Sequence, residues 1–259
     1  MTDKLVFMHI PKNGGTSLRT MLSDWFEPEH RCPYREGQDY IEHFDDEQLE
    51  RYRFFTGHLP LYVVQRFFSR SVPKFTVLRD PVERAYSLYA YWRDFRLPEQ
   101  TEPEGDEENT IPESAIPKLY PNEFAGPLVA KANDFGSFLF SGHPYVRRAL
   151  TNAQTRFLCN AGIYDRIESM ESEEVLRIIL EEVRDWNISV EILEKPARMA
   201  ATIEKLGKNL GANIDTPVPH ENKSERRGLD DLDRTLVADF LRMTSPIDFL
   251  LYEHFSDDY

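Results

Sequence analysis

A short apolar segment, a glycine-rich turn and an amphipathic helix open this chain and constrain its fold more than any other feature. Leu5–Ile10 is apolar and ends at Pro11, which predicts a buried strand. Pro11–Gly15 predicts a turn, and either Thr16 or Ser17 is expected to cap the helix that follows. Because a helix N-terminus presents unpaired backbone N–H groups and partial positive charge, the segment predicts a cradle for a phosphate-like anion.

The residue types of this turn suit an anion. The glycines let the backbone approach a ligand closely, Lys12 adds a positive charge, and Thr16 and Ser17 add hydroxyl donors. The predicted anion ligands are Lys12, Asn13, Gly14, Gly15, Thr16 and Ser17. No lysine directly precedes Thr16, so the spacing differs from the G-x-x-x-x-G-K-[ST] loop of nucleotide-dependent kinases and GTPases. An ordinary strand–helix turn without a ligand is the alternative that these residues leave open.

Strands and helices alternate along the rest of the chain. Further strands are expected within 53–58, ending at Gly57, and at 74–78 and 188–193. A helix is expected after each of the strands 53–58 and 74–78. Other helices are expected in part of 134–158 and near 171–186, 196–210, 232–241 and 246–255. This alternation predicts an α/β protein with a P-loop-like three-layer α/β/α fold and a central, mainly parallel sheet. The length of 259 residues suits a single domain over 1–259. A Pro-rich, acidic stretch within about 96–135 is expected to be an insertion or lid beside the ligand site, with a solvated surface loop as the alternative.

Polar residues follow two of the later strands. Arg79 stands at the end of the 74–78 strand, and Ser87 lies about two turns into the next helix. A guanidinium makes forked contacts with phosphate, and a serine hydroxyl is a further donor, although a surface arginine and an ordinary helical serine remain the alternative. His58 comes directly after Gly57, where the second strand is expected to end, and carboxyl ends of parallel strands share one edge of a sheet. We therefore expect His58 near the phosphate loop, whereas His9, inside a strand, is expected to be structural.

Composition narrows the class of protein. The net charge of −14 disfavours a general nucleic-acid binder. No segment approaches the roughly 20 apolar residues that span a bilayer, and the N-terminus lacks a secretory pattern. The expectation is a cytoplasmic protein with no membrane span. Cys32 and Cys159 show neither metal-ligand spacing nor a disulfide framework.

The two anion-binding segments resemble those of one enzyme family. His9–Leu18 resembles the 5′-phosphosulfate loop of the Golgi-type carbohydrate sulfotransferases and their bacterial relatives, in particular the group containing heparan sulfate 2-O-sulfotransferase. The animal 2-O enzymes differ in the middle of this loop, and the Gly-Gly form is nearer the bacterial members. Phe75–Ser87 resembles the family's 3′-phosphate-binding strand and helix, where an R-D-P turn precedes a serine eight residues after the arginine.

The resemblance implies a donor and a set of ligands. The donor would be 3′-phosphoadenylyl sulfate (PAPS), with the loop at its 5′ end and Arg79 and Ser87 at its 3′-phosphate. The segment 219–227 is similar to a family segment that closes over the nucleotide, which implies the ligands Lys223, Ser224 and either Arg226 or Arg227. Asn152–Leu158 is similar to bacterial members, and its Arg156 would contact the acceptor or brace the site.

The implied reaction is an in-line displacement at sulfur. His58 matches the Gly-His pair whose histidine is the family's general base, and Lys12 would stabilise charge on the oxygen between sulfur and the leaving phosphate. The acceptor would be a hydroxyl-bearing molecule, with a saccharide favoured, and no metal is expected to be required. A nucleotide-dependent P-loop kinase and a non-catalytic protein that binds PAPS or its product adenosine 3′,5′-bisphosphate (PAP) are the alternatives. Oligomeric state is not readable from the sequence.

Overall fold

The computed structural model describes residues 3–33, 39–95, 124–212 and 234–257. Its contacts divide the chain into two compact units. The first comprises Met1–Pro81, Asn152–Lys223 and Arg242–Tyr259, and the second comprises Val82–Thr151 and Ser224–Leu241. Each unit is described by itself.

The first unit is built on a parallel sheet. Its strands are β1 (Leu5–Met8), β2 (Phe54–Gly57), β3 (Lys74–Leu78) and β4 (Ile188–Ile192). They lie in the order β2-β1-β3-β4, and every described pair of neighbours is parallel. This confirms the predicted α/β class and central parallel sheet. The strand boundaries agree with the expected ones to within a residue, except that β1 ends at Met8 and not at Ile10.

Helices cover both faces of this sheet. The helices described along the chain are α1 (Gly15–Ser23), α2 (Asp46–Arg51), α3 (Leu61–Phe67), α4 (Pro81–Asp94), α5 (Ala125–Ala132), α6 (Phe135–Leu139), α7 (Pro144–Leu150), α8 (Ala153–Leu158), α9 (Ala161–Tyr164), α10 (Ser172–Asp185), α11 (Pro196–Leu210), α12 (Arg234–Thr244) and α13 (Pro246–Ser256). Leu5 and Phe7 of β1 pack with α1 and α11, and Val6 and Met8 pack with α3, α10 and α13. Alternating side chains of one strand thus feed two cores, as the side-chain period of two requires, and the three-layer α/β/α prediction is confirmed.

Aromatic packing dominates the second unit. Tyr89 of α4 lies against Phe135 and Phe138 of α6, with ring centroids 5.4 and 5.2 Å away, and the Tyr89 hydroxyl donates to the Asn133 carbonyl at 2.8 Å. Of the expected insertion at about 96–135, only residues 124–135 are described, and they belong to this unit. Residues 96–123 lie outside the described residues and 124–135 hold α5, so the insertion and the single-domain organisation stay predictions.

Candidate active site

The order of the strands creates a divergence next to β1. The chain leaves β1 towards β2 on one side, and it leaves β3 towards β4 on the other. Loops that leave the carboxyl ends of neighbouring strands in opposite directions open a crevice where α/β proteins bind ligands. The loop from Pro11 to Gly14 and the turn at Arg79 flank this point, and His58 follows β2 on the same edge.

The backbone of the loop after β1 alternates in handedness. Lys12 and Gly14 both have φ of 72°, whereas Asn13 and Gly15 are not among the residues with positive φ. Such alternation is typical of the backbone arrangement called a nest, which binds anions through its N–H groups. The N–H of Asn13 does not contribute here, because it donates to the Ile10 carbonyl at 3.3 Å. A left-handed lysine costs roughly 1–2 kcal/mol, and strain of this kind concentrates at ligand sites. The positive φ of Lys12 was not expected from the sequence.

Helix α1 begins earlier than the predicted cap. Gly14 occupies the N-cap position in the left-handed region, so the expectation that Thr16 or Ser17 caps this helix is wrong. The physical reason is that the left-handed turn at Gly14 brings the backbone into the helix two residues before the first hydroxyl. Gly14 makes no side-chain cap hydrogen bond, and the first turn has no acidic residue. The first turn of α1 therefore presents N–H groups and partial positive charge that no carboxylate of the same turn neutralises.

The two glycines of the loop are required by close contacts. A Cβ atom on Gly15 would lie 1.9 Å from Cδ2 and 2.1 Å from Nε2 of His9. A Cβ atom on Gly14 would lie 2.8 Å from a methyl group of Leu193, at a φ that side chains rarely adopt. The tight loop is thus held directly against the residues that follow β1 and β4.

His9 lies inside the site, which its place in a core strand did not indicate. Its ring stacks on Phe7 with centroids 5.8 Å apart and meets the His58 ring edge-on at 5.1 Å. Burial, with smaller contributions from the charges of His58, Arg19 and Lys12, lowers the pKa of His9 to about 3. His9 is therefore neutral near pH 7, and Arg19 and Lys12 add positive charge to this edge of an acidic protein.

Arg79 is tied to the phosphate loop. Its Nη1 donates to the Lys12 carbonyl at 3.1 Å, its Nε lies 4.0 Å from Oε1 of Glu194, and the side chain is 14% exposed. The structure thus brings Arg79 against the loop that it was expected to complement, and this contact fixes the backbone orientation of Lys12.

Glu194 is a site residue that the sequence analysis missed. It accepts from the backbone N–H of Asp80 at 3.3 Å and from the hydroxyl of Tyr252 at 3.4 Å. Burial raises the pKa of Glu194, and burial and the Glu194 charge raise the pKa of Tyr252 to about 12. Since Glu194 stands two residues beyond β4, its position at the carboxyl edge was the available sequence signal.

A buried amide joins the segments after β1 and β3. Oε1 of Gln154, on α8, accepts from Nδ2 of Asn13 at 2.7 Å and from the backbone N–H of Arg79 at 2.9 Å. Asn13 itself is buried, its Nδ2 also donates to the Val77 carbonyl at 2.8 Å, and its N–H donates to the Ile10 carbonyl at 3.3 Å. The Asn13 side chain therefore stabilises the loop through contacts with β3 and α8. Its role as an anion ligand stays a prediction.

The other predicted residues are Ser87, Arg156 and four residues of the segment 219–227. Ser87 is half-buried on α4, in the second unit. Lys223, Ser224, Arg226 and Arg227 lie outside the described residues. Arg156 pairs with Glu168 and donates to the Tyr164 carbonyl at 3.3 Å, contacts that serve the first unit's own packing. Their expected roles stay predictions.

Two searches of the described residues complete the description. Within 3–33, 39–95, 124–212 and 234–257, no three His, Cys, Asp or Glu side chains are grouped so that they could hold a metal ion. Over the same part of the chain, none of the helices has both the length and the apolar character needed to cross a bilayer.

Comparison with known proteins gives a family match over the segment that contains the loop after β1, His58 and Arg79. Residues 5–133, just under half of the chain, match the family described as "Sulfotransferase domain". No curated protein matches the sequence. Among solved structures, a sulfotransferase from Alicyclobacillus acidocaldarius is similar at 15% identity and a TM-score of 0.48, over 99% of this chain and 96% of that one. Mouse sulfotransferase SULT7A1 complexed with PAP is similar at 15% identity and a TM-score of 0.36, over 96% of this chain and 66% of that one.

Proposed function

We propose that this protein is a sulfotransferase that moves a sulfuryl group from PAPS to a hydroxyl group of a carbohydrate acceptor. The observation that carries the proposal is the strained loop after β1, with left-handed Lys12 and Gly14 ahead of an α1 whose first turn contains no carboxylate. The family match over residues 5–133 supports sulfuryl transfer as the chemistry of this loop. The kinship with heparan sulfate 2-O-sulfotransferases is part of the same proposal and rests on the loop sequence.

The donor set fits a nucleotide with phosphate at both ends. The nest and the N-terminus of α1 offer backbone N–H groups, Thr16 and Ser17 add hydroxyls, and Lys12 adds a charge, a set suited to the 5′ phosphosulfate. Arg79 supplies a guanidinium at the neighbouring strand end for the 3′-phosphate. Ser87, Lys223, Ser224 and Arg226 are proposed to complete that second site on the strength of the sequence resemblance.

The chemistry follows from the charges that these residues hold. Bound PAPS supplies an activated sulfuryl group and, after S–O cleavage, leaves as PAP. Lys12 is proposed to stabilise the negative charge that grows on the bridging oxygen. The loop N–H groups fix the position of the 5′ end, so that positioning and electrostatics provide most of the rate enhancement, as in phosphoryl transfer.

His58 is the proposed general base. It follows β2 on the same edge as the loop, and it is half-buried beside a histidine that burial keeps neutral. A base in this position is able to take the proton of an acceptor hydroxyl as its oxygen attacks sulfur. His9 contributes no competing positive charge near pH 7, because its pKa is about 3.

A thermal-shift titration with PAP, ATP and ATP plus Mg²⁺ tests the proposal. A ligand that binds only the folded state raises the melting temperature as its concentration passes the dissociation constant. We expect PAP to stabilise the protein in the presence of EDTA. The same titration with dephosphorylated adenosine serves as the control, since it lacks both anionic groups.

The two other outcomes are equally informative. Stabilisation by ATP with Mg²⁺ and not by PAP would overturn the sulfotransferase proposal in favour of a kinase. Stabilisation by PAP, without sulfated product when PAPS and a panel of saccharide, phenol and lipid acceptors are supplied, would favour a non-catalytic PAP-binding protein.

A further inference from the structure

One fully buried glutamine contacts both segments that form the proposed nucleotide site. Gln154 accepts through Oε1 from Nδ2 of Asn13 at 2.7 Å and from the backbone N–H of Arg79 at 2.9 Å. Its Nε2 donates to the Arg79 carbonyl at 2.9 Å. The amide thus satisfies both backbone groups of Arg79 and, with the same oxygen, holds the loop residue Asn13.

Only a primary amide of this length makes this set of contacts. The oxygen must accept two hydrogen bonds while the nitrogen donates one, and a glutamine offers both functions on one planar group. An ionised carboxylate would set an acceptor against the Arg79 carbonyl, and an apolar side chain would remove all three hydrogen bonds. Residue type is therefore dictated at this position by the backbone of Arg79.

The position of Gln154 is itself fixed by a reciprocal capping of two helices. Asp248 of α13 accepts from the N–H groups of Gln154 and Thr155 at 3.2 and 2.8 Å, in the first turn of α8. In return Oδ1 of Asn152, which precedes α8, accepts from the N–H of Ile247 in the first turn of α13 at 3.1 Å. Asp248 is 2% exposed, so a buried carboxyl group anchors the helix that carries the amide.

We propose that Gln154 is a positioning residue that couples the 5′ and 3′ phosphate sites of the nucleotide. The inference rests on the proposed function, because it assigns the loop of Asn13 to the 5′ end and Arg79 to the 3′-phosphate. Since one oxygen atom holds both segments, a ligand that orders the loop also orders the turn at Arg79. A nucleotide phosphorylated at both ends then gains affinity that neither monophosphate obtains alone, which is a coupling free energy between two sites.

Calorimetric binding of three nucleotides to the full chain tests this coupling. The probes are PAP, AMP and adenosine 3′-monophosphate, and the proteins are wild type, Gln154→Met and Gln154→Glu. Gln65→Met is the matched control, because that half-buried amide donates to a side chain, Glu182, at 2.7 Å and not to either phosphate segment. The melting temperature of every variant is measured beforehand.

The expected result is a loss that depends on the ligand. Gln154→Met should lower the affinity for PAP by about tenfold or more, the scale of ordinary coupling between sites. Its effect on the affinity for each monophosphate should be several-fold smaller. A merely structural glutamine would reduce the binding-competent fraction, which lowers all three affinities by one common factor. A common factor, or no loss at all, would overturn the inference while leaving the proposed function intact.

The glutamate variant gives a second readout. Burial raises the pKa of a carboxyl group, and the protonated acid regains a donor for the Arg79 carbonyl. PAP binding by Gln154→Glu, relative to wild type, should therefore improve as pH falls from 8 towards 5.5, whereas Gln154→Met should show no such gain. A flat ratio would contradict the proposed hydrogen bond. Failure of the wild-type protein to bind PAP would instead overturn the proposed function, and this inference with it.

Discussion

Replacement of Gly15 by alanine tests the packing of the phosphate loop. The added Cβ would lie 1.9 Å from Cδ2 and 2.6 Å from Cγ of His9, far inside van der Waals contact. The ring is only 8% exposed and lies between Phe7 and His58, so it has little room to retreat. Overpacking of this kind costs about 1–3 kcal/mol, and the severity of the overlap places the expected value near the upper end.

Helix propensity acts in the opposite direction. Alanine is favoured over glycine inside a helix by up to about 1 kcal/mol, and Gly15 is the first residue of α1. The net destabilisation is then about 2 kcal/mol, which lowers the melting temperature of a chain of this size by roughly 4–8 °C. Gly162→Ala is the control, because its Cβ would meet only Oδ1 of Asn160 at 3.2 Å, and it should change stability by less than about 0.5 kcal/mol.

A double-mutant cycle with His9→Ala identifies the cause. Without the ring, the methyl group of Gly15→Ala has space, so the second substitution should add little destabilisation to the first. The interaction free energy from urea unfolding should be about 1–3 kcal/mol. The reasoning would be refuted if Gly15→Ala had the melting temperature of the wild type. It would also be refuted if the substitution lowered the free energy of unfolding equally with and without the His9 ring.

Two further predictions concern the histidines. His58→Ala should lower kcat for sulfuryl transfer by about 10²-fold or more while PAP binding, followed by calorimetry, changes little; an unaffected kcat would remove His58 as the base. Folded His9 stays neutral down to about pH 3, whereas in the unfolded chain it takes up a proton near pH 6.5. Lowering the pH between these two values therefore lowers the free energy of unfolding, by at most about 1.4 kcal/mol per pH unit. Urea unfolding at pH 7, 6 and 5 should show this loss to be smaller in His9→Asn, and equal slopes would contradict the burial of His9.

Local signals in the sequence predicted the elements that such signals specify. The strand Lys74–Leu78 and the helix Pro196–Leu210 have the expected boundaries. For the helix the reason is plain, since Pro196 occupies the first turn and Gly211 ends it with a φ of 68°. The parallel sheet followed from the alternation of such elements, and the edge shared by the phosphate loop, His58 and Arg79 followed from the sheet.

Contacts between distant segments were not predictable in this way. Gln154 is 75 residues from Arg79 and 141 from Asn13 along the chain, and Glu194 is 114 residues from Asp80. Their sequence neighbours show which segment or strand end they belong to, but not which partners they contact. The cap of α1 was mispredicted for a related reason, because the requirement for a residue without a side chain at Gly14 comes from Leu193 beyond β4.

The sequence by itself determined the α/β class, the glycine-rich loop after β1 and the identity of the charged groups around it, because these depend on periodicity, turn chemistry and residue type within short windows. Only the tertiary structure decided that His9 wedges against Gly15, that Arg79 holds the Lys12 carbonyl and that one buried amide serves both segments. Hydrogen bonds and packing between residues far apart in the chain exist only once the sheet has brought its strand ends together, and a single sequence carries no record of those distances.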